Sequence, residues 1–244
     1  MFDKHDWTRK LKELGVKKGM LVVLDGRLDY IHYTISQYNA FLDALFDCVT
    51  SEGTIVYVAF HQEMSEPAHW EKDIPVMIYP KIRKQLASST QLVPFEDPLA
   101  MTMLLRDDTI IKRHPAFTVL AVGKYARFVT RKIPLHYPNG ELGPMEACFD
   151  LKAHIIIMND VSLHSYPFHY ALSKQTDVPI YVHGGVMIEN GTVRWQKYLD
   201  VKVSYTLMKQ RMQKIVDLKK SKQVEIFNDK LYMMACEHII GGGT

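Results

Sequence analysis

Cysteine is scarce in this chain, and its spacing excludes several chemistries. Cys48, Cys148 and Cys236 are the three thiols in 244 residues, and no two form a CxxC pair. A zinc ribbon and a thioredoxin-like redox motif are therefore excluded. An odd thiol count without a signal peptide leads to the expectation of a reducing, cytoplasmic setting. Long apolar runs are missing too. A membrane-spanning helix needs about 20 apolar residues, and no stretch approaches that, so no membrane partner is expected. Charge of one sign is not in excess. Lys and Arg number 30 against 27 Asp and Glu, and a net charge of +3 is too weak to argue for nucleic acid. Internal repeats and low-complexity linkers are absent. His136, His154 and His183 stand at no metal-like spacing from Cys or carboxylates, so no metal is expected.

What is present fits one domain spanning residues 1–244. Hydrophobic residues make up 47% of the chain and charged residues 23%, enough apolar surface for a core without disulfides. Trp7, Leu11 and Leu14 share a face at helical spacing, and Gly15 supplies a stop. LVVLDG at residues 21–26 reads as a buried strand. Residues 36–48 read as an amphipathic helix, and the β-branched run TIVYVAF at 54–60 as a second strand. Residues 61–94 are irregular, with a short helix near 80–87, and read as an excursion over the active-site face. Residues 98–105 and 123–130 have helical patterns, with a strand at 117–122 between them. Residues 178–200 read as antiparallel strands joined at Asn190-Gly191, and 207–219 as a basic helix. Strands alternating with helices, then a hairpin, predict an α/β fold with a central mixed sheet and a C-terminal hairpin region.

The stretch AHIIIMNDVSLHSYPFHYALS, residues 153–173, organises the rest. It reads as a strand, a loop leaving its carboxyl end, and a helix. Ligands of open α/β sheets bind in the crevice beyond the carboxyl ends of the strands. The loop and helix deliver His164 and His169 there, and imidazole titrates in the range that proton transfer needs. Asp25 is a carboxylate at another strand end. His114 is followed by the rigid Pro115 and preceded by Lys112 and Arg113. Glu96-Asp97 and Asp107-Asp108 are acidic pairs, suited either to a polycationic ligand or to a solvated loop. Cys148 beside Phe149 reads as a buried thiol and gives a nucleophilic-cysteine enzyme little support.

Several of these segments, in one order from Leu11 to about Ile240, resemble the aminoglycoside 3-N-acetyltransferase family. They are ELGVKKGMLVVLDGRLDYI (13–31), EGTIVYVAF (52–60), RHPAFTVLAVGKYA (113–126), Gly143-Pro144 and the central stretch. The resemblance implies a three-layer α/β/α sandwich and acetyl-CoA as cosubstrate. The acceptor it implies is an amine, an aminoglycoside or another. It implies His169 and His114 as catalytic residues, with His169 the base that deprotonates the acceptor. CoA contacts are implied for Ser36, Gln37, Lys112, Arg113, Thr118 and Tyr166, and contacts with a cationic acceptor for Asp25, Glu96 and Asp97.

The sequence also departs from the family. A His-Ser-Ser motif falls on Asp25-Gly26-Arg27, and a glycine pair on Ser36-Gln37. The glutamate three residues after the helix histidine is Leu172, which leaves Asp160 as the acid to look for beside His169. These losses motivate a second reading, a catalytically silent relative that binds other molecules. Both a monomer and a homodimer are compatible with the sequence.

Overall fold

Helix α1 (Lys4–Leu14) forms where the apolar spacing places it, and both ends are capped. Asp3 accepts from the Asp6 amide in a capping box, and Gly15 closes the helix at φ 104°. Trp7, Leu11 and Leu14 are fully buried, and Trp7 meets Phe41 edge-on at 5.0 Å between ring centroids. Burying side chains of this size stabilises a fold by about 1.5–3 kcal/mol each. The computed structural model describes residues 3–28, 34–60, 64–70, 73–88, 97–115, 117–162, 164–175, 177–189, 191–226 and 229–241.

The chain continues through β1 (Leu21–Gly26), α2 (Ile35–Val49), β2 (Thr54–Phe60), α3 (Tyr79–Leu86) and α4 (Pro98–Leu104). Then come β3 (Ile110–Arg113), β4 (Phe117–Gly123), α5 (Ala126–Val129), α6 (Pro144–Asp150), β5 (His154–Met158) and α7 (Tyr166–Ser173). Last are β6 (Ile180–Glu189), β7 (Thr192–Val201), α8 (Tyr205–Asp217), β8 (Ser221–Ile226), β9 (Asp229–Ala235) and α9 (Cys236–Gly241).

Among the described residues seven strands form one mixed sheet in the order β3-β4-β2-β1-β5-β9-β8, and β6 and β7 form a separate hairpin. Alternate strand residues enter different cores. Val22, Leu24, Ile55 and Ile156 pack with α1, α2 and α4, whereas Val23, Val56, Ile155 and Ile157 pack with α5 to α9. That period of two makes the α/β/α sandwich. Cys148 is fully buried in the second core, and burial pushes its thiol well above the usual range, so it is no nucleophile. Among the described residues no helix is long and apolar enough to cross a membrane.

The sheet places the site. β1 runs parallel to β2 on one side and to β5 on the other, so the chain leaves β1 for one side and returns on the other. The crevice beyond the carboxyl ends of β1 and β5 is a switch point of the kind where α/β folds bind ligands.

Two segments differ from the sequence reading. The helical pattern at 123–130 yields only the short α5. Gly123 still belongs to β4, at φ 110°, and a Cβ there would overlap the Gly53 carbonyl oxygen. Residues 110–113 form an edge strand although most of their side chains are exposed, so no apolar alternation marks them. Their pairing with β4 sets Arg113 opposite Thr118 and makes His114-Pro115 part of a tight turn, with the His114 N–H donating to Phe117 at 2.8 Å.

Candidate active site

At the switch point Asp25 ends up buried, 5% exposed, and the Ser165 hydroxyl donates to its carboxylate. Burial raises the Asp25 pKa to about 6 despite that bond and the Gly26 N–H. Ser165 is the N-cap of α7, yet its side chain makes no capping bond because it is turned to β1. Asn159 fixes the other end of the same loop in the left-handed region, φ 69°. Its amide donates to Asp229 at 2.7 Å and to the Arg27 carbonyl at 3.2 Å, and its carbonyl oxygen accepts the Lys230 N–H at 2.9 Å.

His169 sits one turn into α7, with its amide bonded to the Ser165 carbonyl at 2.8 Å. The ring Nε2 lies 3.2 Å from the Val201 carbonyl, at the end of β7. A carbonyl only accepts, so Nε2 carries the proton and Nδ1 the lone pair. Nδ1 is sealed from solvent and has no hydrogen-bond partner among the described residues. Burial lowers the His169 pKa to about 4, which keeps the ring neutral at physiological pH. Asp160 does not orient this ring: it holds Lys209 at 3.0 Å and the Val161 N–H at 2.7 Å. Val201 does so through a main-chain carbonyl, in a chain where Leu172 replaces the expected glutamate.

The β6–β7 hairpin covers this region, and its pattern is inverted. Ile180 and Val182 are 60% and 59% exposed, whereas the cross-strand pairs Tyr181–Asp200 and His183–Tyr198 turn inward. His183 stacks on Tyr198 at 5.1 Å, and Tyr198 meets His114 edge-on at 4.7 Å. Asp200, 7% exposed, accepts from the Val201 N–H at 2.9 Å, and burial raises its pKa to about 7. The Tyr166, Tyr181 and Tyr198 phenols all lie within reach of its charge, and burial pushes each above the usual tyrosine range.

Gly185 lets the hairpin come this close: a Cβ there would overlap the Pro115 carbonyl. Gly185→Ala is therefore expected to force the hairpin off the His114-Pro115 turn and to destabilise the fold by about 1–3 kcal/mol. Turnover should fall more than stability does. Thermal melts paired with activity assays check it, and an unchanged melt with full activity refutes it.

The predicted residues divide into groups. Arg113, His114 and Thr118 come together around a pocket of about 50 Å³, closed on its other side by Val186, Met187 and Ile188. His114 is packed between Phe117 and Tyr198, its Nε2–H donates to the Leu135 carbonyl at 3.1 Å, and burial lowers its pKa to about 4. Tyr166 contacts the same Phe117 ring edge-on at 4.8 Å and lies within reach of the Asp200 charge. His169 does not line that pocket. Lys112 is exposed on the edge strand beside Arg113.

Ser36 and Gln37 lie inside the first turn of α2. Thr34 is the N-cap, Ser36 is exposed and Gln37 is buried, so Ser36 does not cap the helix. Asp97 is not on an open acidic surface: it is buried, caps α4 through the Ala100 N–H at 3.0 Å, and accepts the Tyr57 hydroxyl at 2.7 Å. Asp108 of the second acidic pair is held by Arg106 at 3.1 Å. Glu96, like Asn190 of the hairpin turn, lies outside the described residues. His164 is packed rather than solvated, stacked on Phe60 at 3.6 Å with its pKa lowered to about 4 by burial. Among the described residues no group of three or more His, Cys, Asp or Glu is placed to hold a metal ion.

Sequence reading did not single out Ser165, Tyr181, Tyr198 or Asp200. A signal for the hairpin residues was present: Tyr181 and His183, then Tyr198 and Asp200, stand two apart with the aliphatic Val182 and Leu199 between them. Polar residues on the inner face of such a hairpin mark a site rather than a core. Nothing local marks Ser165.

The sequence profile of the aminoglycoside 3-N-acetyltransferase family matches residues 26–243. The SPbeta prophage-derived aminoglycoside N(3')-acetyltransferase-like protein YokD of Bacillus subtilis (strain 168) is 28% identical over 203 residues, 81% of this chain and 75% of YokD. The crystal structure of YokD has a TM-score of 0.85 at 22% identity, covering 99% of this chain and 97% of that one. AAC-IIIb, solved as a binary complex with CoASH, has a TM-score of 0.76 at 15% identity over 99% and 94% of the two chains. AAC-VIa bound to sisomicin has 0.78 at 14% identity over 99% and 96%. At these identities the structures show a shared fold. The profile, matching nearly the whole chain, shows more: this protein belongs to the aminoglycoside 3-N-acetyltransferase family.

Proposed function

We propose that this chain is an acetyl-CoA-dependent N-acetyltransferase acting on a cationic amine of the aminoglycoside class, with His169 as general base. The observation that carries the reading is the family profile over residues 26–243. Within the site the His169 ring holds Nε2 on the Val201 carbonyl and keeps a neutral Nδ1. That nitrogen is closed from solvent here, so the acceptor reaches it when the covering β6–β7 hairpin shifts. In the reaction the acceptor nitrogen attacks the thioester carbonyl carbon of acetyl-CoA. Nδ1 takes the proton the nitrogen sheds, the carbon–sulfur bond breaks, and CoA leaves as the thiol once protonated. The Thr118 and Tyr166 hydroxyls are candidates to steady the oxyanion. Lys112 and Arg113, exposed beside the Thr118 pocket, suit the CoA phosphates. A carbonyl orients the imidazole as a carboxylate does but stabilises the imidazolium less, so Val201 supplies position more than charge.

Asp200 suits the acceptor's ammonium. It is a buried carboxylate on which no cationic side chain among the described residues acts, within reach of three phenols. With its pKa near 7 it becomes anionic as pH rises through neutrality, so the KM for a cationic acceptor should fall over that interval. Asp200→Asn is expected to raise that KM about 10-fold, abolish its pH dependence and leave CoA affinity unchanged. A KM equal to wild type refutes this role.

The family match and the fold neighbours do not favour a silent relative. Calorimetric titration with acetyl-CoA tests the enzyme reading directly, and no binding at about 1 mM, the floor of useful affinity, sinks it. One domain over residues 1–244, a cytoplasmic setting with reduced thiols, a monomer or homodimer, and no nucleic-acid partner complete the reading.

A further inference from the structure

We propose that Asp25 is a positioning residue for acetyl transfer: through the Ser165 hydroxyl it anchors the first turn of α7 to β1 and thereby fixes the His169 imidazole. This rests on the reading of His169 as the base.

Three observations support it. A carboxylate buried without a cation is costly, so its retention needs a reason. The bond it makes spans 140 residues and joins β1 directly to the loop after β5. Second, Ser165 gives up its ordinary task. An N-cap serine stabilises a helix by accepting from an amide in the first turn, and Ser165 makes no such bond because it donates to Asp25 instead. Third, the residue so held is the one whose carbonyl accepts the His169 amide, at 2.8 Å. The imidazole is therefore fixed from two sides, at its backbone by Asp25 through Ser165 and at its ring by Val201. Groups that are reorganised rather than preorganised lose rate steeply, about 10²-fold for a 1 Å misplacement.

The test uses Ser165→Ala, which removes the donor, with Ser165→Thr and Asp25→Asn as conservative variants that keep a donor and an acceptor. Each is assayed with acetyl-CoA and sisomicin, titrated with CoA by calorimetry, and examined by long-range proton–nitrogen NMR of the histidine rings. Ser165→Ala is expected to lower kcat about 10-fold or more, with CoA affinity unchanged and the His169 ring nitrogens shifted from the Nε2–H pattern. The two conservative variants should recover most of the rate and the wild-type ring signals. Wild-type kcat in Ser165→Ala overturns the proposal. So does a rate loss matched by lost folded protein with unshifted His169 signals, which marks a purely structural bond. If the wild-type protein does not acetylate sisomicin, the acceptor reading fails separately. The ring spectrum then decides alone: shifted signals support the anchor and unshifted signals overturn it.

Discussion

His169→Ala is expected to lower turnover by about 10²–10⁴-fold, the usual contribution of a positioned general base, while CoA binds as tightly as before. The asymmetry follows from geometry. In the proposed reaction Nδ1 acts on the proton of the acceptor amine, while the other ring nitrogen is tied to the protein's own backbone. Removing the ring takes away a transition-state interaction and touches no part of CoA, so kcat falls and CoA affinity does not. His169→Gln sharpens the test, because an amide can still donate to Val201 but cannot take a proton. It should keep the fold and lose the rate. A His169→Ala protein that turns over at the wild-type rate would show that another group is the base, and His114, one of two buried histidines at the site with His183, would be next.

Replacing both buried acids at the site is expected to stabilise the protein at neutral pH and to make it acid-sensitive. Asp25 and Asp200 have native pKa values of about 6 and about 7 against 3.8 for the free side chain. The native state thus holds protons that the unfolded chain has released, and stability falls as pH rises through that interval. His114, His164 and His169 have native values near 4 against 6.5. The unfolded chain takes up those protons first, so stability is lost as pH drops from 6.5 toward 4. The two sets oppose each other in the wild-type protein and flatten its pH dependence.

Each pKa unit is worth about 1.4 kcal/mol. Asp25→Asn with Asp200→Asn should therefore remove an ionisation cost of at most about 7 kcal/mol at about pH 7.5, shrinking to about 2 kcal/mol at about pH 4.5. The histidine titration, no longer opposed, should then appear as a steep loss of stability below about pH 6, with the partly exposed His164 contributing least. Urea unfolding of both proteins across this range measures it. A double variant that is less stable than wild type at neutral pH contradicts the assignment of unpaired, buried charge to these acids.

How far the site could be read ahead of the structure varies from residue to residue. His169 was legible because a short apolar strand, a polar loop and an aromatic helix stand in sequence, and that local order puts the histidine at a strand's carboxyl end. The His114-Pro115 turn was legible from Pro115 and from the strand after it. The strand before it was not, since β3 is defined by its pairing with β4 and not by its own side chains. Asp97 was misplaced because an acidic pair looks the same on an open loop as at the cap of a buried helix. Only the Tyr57 hydroxyl and the Ala100 amide distinguish the two.

By itself the sequence determined most of the elements, though not the edge strand β3 or the extent of α5. It also determined the two-sided sheet and the helix that carries the imidazole, because each depends on periodicities of 2 and about 3.6 residues within one segment. The tertiary structure alone decided what each site group is bonded to. Asp25 meets Ser165 across 140 residues, His169 meets Val201 across 32, and the hairpin turns Asp200 inward rather than outward. Those contacts depend on register and close packing between distant segments, and periodicity within one segment does not fix either.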